Sequence, residues 1–91
     1  MPTDTIIVSV TAVIDGDTFD AIVETQEARN REKYRSVERI RIANIDAAEL
    51  PSRQGRTDKE KLDQAIRGKR LRCAVQSRDP YGRLVCKISR P

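Results

Sequence analysis

The sequence predicts a β-rich α+β domain, a five-stranded barrel with one capping helix. Three observations lead there. Five segments alternate apolar with polar residues, one segment between the third and fourth of them has helical spacing, and residues suited to turns stand where strands would reverse. The chain has 91 residues, enough for a single domain spanning 1–91.

In residues 6–14, Ile6, Val8, Val10, Ala12 and Ile14 alternate with Ser9 and Thr11, which reads as a strand. Asp15-Gly16-Asp17 follows as a tight turn, with Gly16 expected to supply a positive φ. Thr18–Thr25 is the returning strand. Residues 26–36 are polar and charged, and are expected to form a mobile hairpin loop or a short helical excursion. Val37–Ile45 is a third strand, with Ile40 and Ile42 facing one way and Arg39 and Arg41 the other. Asp46–Pro51 is a loop closed by proline.

Thr57 and Glu60 have the spacing of a capping box, so a helix is expected over 57–67. Leu62, Ala65 and Ile66 would fill the barrel end, and Gly68 suits the helix stop. Leu71, Cys73 and Val75 alternate with Arg70 and Arg72 as a fourth strand. Asp79-Pro80-Tyr81-Gly82 matches type I turn preferences, and Leu84, Cys86 and Ile88 mark a fifth strand. The order β-β-β-α-β-β, a three-strand meander followed by a helix and a hairpin, suits a barrel of the OB type.

Apolar residues make up 37% of the chain, which favours an open groove over an enclosed pocket. The net charge of +4 favours a polyanionic partner, with basic residues concentrated at 29–41, 53–61 and 67–72. The absence of histidine excludes His-based acid–base chemistry and His-ligated zinc. Cys73 and Cys86 fall on the apolar phase of their strands and read as buried thiols, with nothing to support a disulfide. The chain as written has no apolar leader and no run long enough to span a membrane; its location is left open, with the cytoplasm favoured.

The meander also suggests a site. If the second and third strands are antiparallel neighbours, the start of one lies beside the end of the other, which brings Asp17 and Asp46 to one sheet edge. Hard cations such as calcium take carboxylate, carbonyl and water oxygens. Asp17, Asp46, a loop carbonyl near Ala47 and a substrate phosphate could supply them, with Asp15 in an outer role. Strict alternation would put Arg41 and Asp46 on opposite faces, so the strand must bulge or end by Asn44 for both to serve one site. Glu49 stands three residues after Asp46, within reach of a water near the metal. Arg83 follows the last turn, and an arginine fork can hold two phosphate oxygens. This kit fits a phosphodiester substrate.

VIDGDTFD (13–20), RIANIDAAEL (41–50) and DPYGR (79–83), in that order, resemble the thermonuclease, or staphylococcal nuclease-like, family; GRTDKEKL (55–62) fits the start of its helix. The resemblance covers roughly residues 6–89 and implies an OB-fold enzyme that hydrolyses DNA and RNA with calcium. It implies that Asp17, Asp46 and the backbone of Ala47 hold the metal, with Asp15 nearby. Arg41 and Arg83 would hold phosphate, Glu49 would act as general base and Tyr81 would line the nucleotide pocket.

Ala48 stands where the family usually has proline before the glutamate, and Pro80 where a basic residue is common. The 26–36 loop is longer than in the founding enzyme. The chain stops after the fifth strand, short of the family's C-terminal helices, so self-association or a partner covering that side is expected. A rival reading is a non-catalytic OB-like module that binds nucleic acid or protein through a relict site. With only Phe19, Tyr34 and Tyr81 as aromatics, the chain is poor in stacking platforms for that role.

Overall fold

The computed structural model describes residues 4–25, 34–44 and 52–91. Its elements are β1 (Asp4–Asp15), β2 (Thr18–Thr25), β3 (Val37–Ile42), α1 (Arg53–Ile66), β4 (Arg70–Arg78) and β5 (Leu84–Ser89). The strands close into a barrel in the order β1-β2-β3-β5-β4, as the alternation and element order predict. All neighbouring pairs are antiparallel except β3 and β5, which run parallel over Ile40↔Leu84, Arg41↔Val85 and Ile42↔Cys86.

β1 is long enough to serve two neighbours. Its first half pairs with β4, from Asp4↔Val75 to Ser9↔Arg70, while residues 7–15 pair with β2. Register shifts at Ile7/Val8, Val10/Ala12 and Val13/Asp15 coil the strand, as bulges do where sheets curl into barrels. The middle shift corrects the expected alternation. Beyond Val10 the inward phase moves by one residue, so Val13 is buried while Ala12 and Ile14 are only partly covered.

The core consists of the inward residues of every strand, with Ile6, Phe19, Ala21, Ile40, Cys73 and Cys86 fully buried. Removing each large apolar side chain from water contributes roughly 1.5–3 kcal/mol. Cys73 and Cys86 are free, buried thiols; their mutual hydrogen bond and burial push the Cys86 thiol well above its ordinary range, which keeps it un-ionised and unreactive.

The helix begins earlier than the capping-box reading predicts. Ser52 is the cap, its hydroxyl accepting from the Gly55 N–H at 3.0 Å, and Thr57 lies inside the helix with its hydroxyl donating to the Arg53 carbonyl at 3.1 Å. The Ser52 hydroxyl satisfies an orphan N–H one turn upstream, so Thr57 has no capping to do. Ile66 is buried and Leu62 packs partly on the core, but Ala65 is exposed. Gly68, at φ 72, stops the helix, and the Val10 N–H donates to the Lys69 carbonyl at 2.9 Å, tying the helix exit to β1.

β3 ends at Ile42, three residues before the expected limit. Ala43 and Asn44 form a turn, and Asn44 adopts φ 65, a left-handed conformation that asparagine tolerates better than most residues. The loop expected at 26–36 lies mostly outside the described residues, as does the proline-closed loop at 46–51.

Alternation in β3 also puts a charge inside. Glu38 is 2% exposed and accepts from both terminal nitrogens of Arg78, at 3.1 and 3.0 Å, and from the Arg35 backbone N–H at 2.9 Å. Burial opposes ionisation of Glu38, but the bonds and charge of Arg78 and Arg35 outweigh it and hold the carboxyl below its ordinary value. Nearby, the Tyr34 hydroxyl donates to Asp4 at 2.8 Å, which joins the start of β1 to the lead-in of β3.

A carboxyl lowered on folding stabilises the fold above its ordinary pKa of 4.5, and that stabilisation is lost as pH falls through the lower folded value. Glu38→Ala is expected to cost on the order of 2 kcal/mol at pH 7, because the partly exposed Arg78 regains water once unpaired. Urea denaturation from pH 3 to 7 should show the loss at neutral pH and a flatter acid limb in the variant.

Candidate functional site

The site begins at the two-residue turn between β1 and β2. Asp15 pairs with Thr18 across the turn, and the Asp15 side chain accepts from the Asp17 N–H at 3.1 Å. Gly16 does not supply a positive φ as expected. Among the described residues positive φ falls at Asn44, Gly68 and Gly82, and the Asp15 carboxylate closes the turn instead.

The turn is then tied to β3. The Ile42 N–H donates to the Asp17 carbonyl at 2.8 Å, and Thr18 is the register partner of Arg41. Arg41 lies 3.7 Å from the Asp17 carboxylate, and the buried Thr18 hydroxyl donates to that carboxylate's other oxygen at 2.8 Å. Asp17 is therefore held by its backbone and by both carboxylate oxygens. Burial and the neighbouring Asp17 carboxylate raise the Asp15 pKa, as expected for acids sharing a small space.

The β4–β5 turn supplies the other wall. The Gly82 N–H donates to the Asp79 carbonyl at 3.0 Å, and the Asp79 N–H donates to the Arg83 carbonyl at 2.8 Å. Gly82, at φ 87, allows the chain to rejoin the ladder there. One Asp79 oxygen accepts from the N–H groups of Tyr81 and Arg83, both at 2.9 Å, and the other accepts from the Arg83 side-chain Nε at 2.6 Å. Burial opposes ionisation of Asp79, but these donors hold its carboxyl below the usual range. The Arg83 guanidinium also lies 5.4 Å from the centre of the Tyr81 ring, which is itself highly exposed.

Ile14, Asp15, Thr18, Arg39, Tyr81 and Arg83 line an open cleft of about 320 Å³ between the two turns. Of the site residues read from the sequence, the structure thus gathers Asp15, Tyr81 and Arg83 at one cleft, with Asp17 and Arg41 alongside Thr18. Asp46, Ala47 and Glu49 lie outside the described residues. The early end of β3 and the turned backbone at Asn44 meet the condition that strand alternation break between Arg41 and Asp46.

Three contributors were not read from the sequence. Thr18 orients Asp17; its place beside that acid was the available signal. Asp79 orients Arg83, and its spacing of four residues across a turn could have suggested it. Arg39 lines the cleft while its fork grips Asp20 at 2.8 and 3.2 Å; alternation with Arg41 was its signal.

The donor set that would face a cation is made of hard oxygens, which suits calcium rather than a soft metal. Among the described residues no group of three metal-binding side chains converges, so Asp15 and Asp17 would need donors from residues 45–51.

No family model matches the chain. Two curated relatives align with it. Over 82 residues, 90% of this chain, it is 32% identical to a protein of Escherichia coli O157:H7 and to one of Escherichia coli, each named an uncharacterized endonuclease. The chain spans about half the length of these relatives, 47% of each. Among the described residues no helix is long and apolar enough to cross a membrane.

Asp79→Ala removes two backbone caps and the Arg83 pairing together, with an expected loss of about 2 kcal/mol. Thermal unfolding at pH 7 measures it, and an unchanged midpoint would show that the turn holds itself without the side chain.

Proposed function

We propose that this domain hydrolyses phosphodiester bonds of DNA or RNA with calcium bound. The observation that carries the reading is the hydrogen bond from Ile42 to the Asp17 carbonyl, which seats an acidic turn beside Arg41 at the point where the chain leaves β3. Asp46, two positions beyond Asn44, is the next acidic residue in the chain after β3. The similarity to proteins named endonucleases and the resemblance to the thermonuclease family support the same reading.

Asp17, Asp46 and the Ala47 carbonyl would hold the ion, with Asp15 orienting the turn and any water bound there. Calcium would supply positive charge beside the phosphate. Arg41 and Arg83 donate to the non-bridging phosphate oxygens, and their hydrogen bonds strengthen as charge builds on them. Asp79 occupies Nε of Arg83, which leaves the terminal nitrogens to face a phosphate. Glu49 accepts a proton from water, the resulting hydroxide attacks phosphorus, and the P–O bond to the leaving sugar oxygen breaks, its electron pair staying on that oxygen, which takes a proton from solvent. Tyr81, exposed at the cleft rim, offers a face on which a base can stack.

Cleavage of single-stranded DNA and RNA with calcium, and its loss with chelator, is the direct test. Glu49→Gln and Arg83→Ala should each lower the rate at least a hundredfold, on the order of removing one general base or one charge-stabilising donor. A Glu49→Gln variant that cuts as fast as wild type would sink the mechanism, and binding without any cutting would favour the non-catalytic module.

Thr18 gives a readout independent of turnover. Thr18→Val keeps the buried shape but removes the donor to Asp17, so calcium affinity measured by calorimetry should fall severalfold while Thr18→Ser retains it. Equal affinities for the two variants would remove Thr18 from the account.

A further inference from the structure

Beyond the cleft, the outer face of β5 continues the same positive charge. With Leu84 and Cys86 buried, alternation puts Val85, Lys87 and Ser89 on the outside, in line with Arg83 at the cleft. Lys87 stands four residues along from Arg83, about 13 Å at strand spacing. Register then carries the line onto β4. Arg72 faces Ser89, and Ala74 faces Lys87, so Arg72 and Lys87 are diagonal neighbours on the outer surface. Arg70 follows on the same side of β4, two residues before Arg72.

The balancing charges are unevenly distributed. Arg39 is paired with Asp20 at 2.8 Å and Arg67 with Asp63 at 3.6 Å, whereas Arg53, Lys61 and Lys69 have no acidic partner among the described residues. On the β4–β5 face Arg70 is held by Glu24 at 2.7 Å, but among the described residues neither Arg72 nor Lys87 has an ion-pair partner. The residues beside them are uncharged: Ile7 and Ser89 flank Arg72, Ala74 faces Lys87, and Thr5 stands opposite Ala74 on β1. None of these is aromatic, so the face offers no platform for unstacked bases. Its chemistry is that of phosphate contact: cations and hydroxyls without stacking.

We propose that Lys87, Arg72 and Arg70 form a phosphate-tracking surface that leads away from the cleft and holds the backbone of a nucleic acid longer than the cleft itself accommodates. This rests on the reading of the substrate as nucleic acid. Long substrates gain affinity from this surface, whereas short ones that fill only the cleft gain none.

The test compares Arg72→Ala/Lys87→Ala with a control of equal charge loss on the exposed helix surface, Arg53→Ala/Lys61→Ala. Binding of a labelled 30-base-pair DNA duplex is measured with chelator present from low to moderate salt, and calcium-dependent cleavage of a trinucleotide is measured separately. The strand variant should bind the duplex about tenfold more weakly at low salt, with a log–log salt slope smaller by about 1.8, or roughly 0.9 for each phosphate no longer neutralised. The helix control should bind nearly as wild type, and trinucleotide cleavage should be unchanged in both.

An unchanged duplex affinity and slope in the strand variant, or an equal loss in the helix control, would overturn the proposal. Failure of the nuclease reading would look different: wild type would leave the trinucleotide uncut, while the binding comparison would still decide whether the surface exists.

Discussion

The parallel seam between β3 and β5 is the contact on which the rest of the molecule depends. It is three register pairs long, from Ile40↔Leu84 to Ile42↔Cys86, yet it joins the meander of β1–β3 to the hairpin of β4–β5 and so closes the barrel. A closed barrel has no open edges, which spares a small protein the exposed backbone rows that invite aggregation. The seam also sets the site. Arg39 in β3 and Arg83 just before β5 each stand one residue ahead of its first pair, and Arg41 sits between Thr18 on one side and Val85 on the other. Acid from one hairpin and base from the other meet only because these strands touch.

Both walls of the cleft are built by a similar device. At each turn an aspartate accepts from the backbone two residues on: Asp15 from Asp17 and Asp79 from Tyr81. The side chains nearest the cleft inherit that rigidity. Thr18 and Arg41 engage the Asp17 carboxylate, and Asp79 engages Arg83. Such supporting contacts hold charged groups in place before any ligand arrives, which reduces the ordering that binding must impose.

Much of the barrel was legible in the sequence because each strand has one buried face and one wet face. Ile40 and Ile42 against Arg39 and Arg41, or Leu71 and Cys73 against Arg70 and Arg72, could be assigned directly. The pattern misled where local geometry intervened. The bulge after Val10 moved the inward phase onto Val13, and Ser52 started the helix before the stronger-looking motif at Thr57. Glu38 shows a further limit. Its phase in β3 was readable, but a partner 40 positions away, Arg78, was not, since only closure of the barrel brings them together. The same holds for the site: Asp17, Arg41 and Arg83 could be named from their motifs, while the supports Thr18 and Asp79 needed distances.

The two stops that flank residues 45–51 have a further consequence. On one side β3 gives way to a turn with a left-handed Asn44, just after Ala43 has donated to the Cys86 carbonyl at 2.7 Å; on the other, Ser52 caps α1 through its own hydroxyl. Both of these bonds are made without the residues in between. Strand register and helix start thus have anchors of their own, one on each side of the stretch that carries Asp46 and Glu49. The two ends of that segment are therefore fixed by the backbone of one neighbour and the side chain of the other, so a change at Ser52 would disturb the helix start without touching the β3–β5 register.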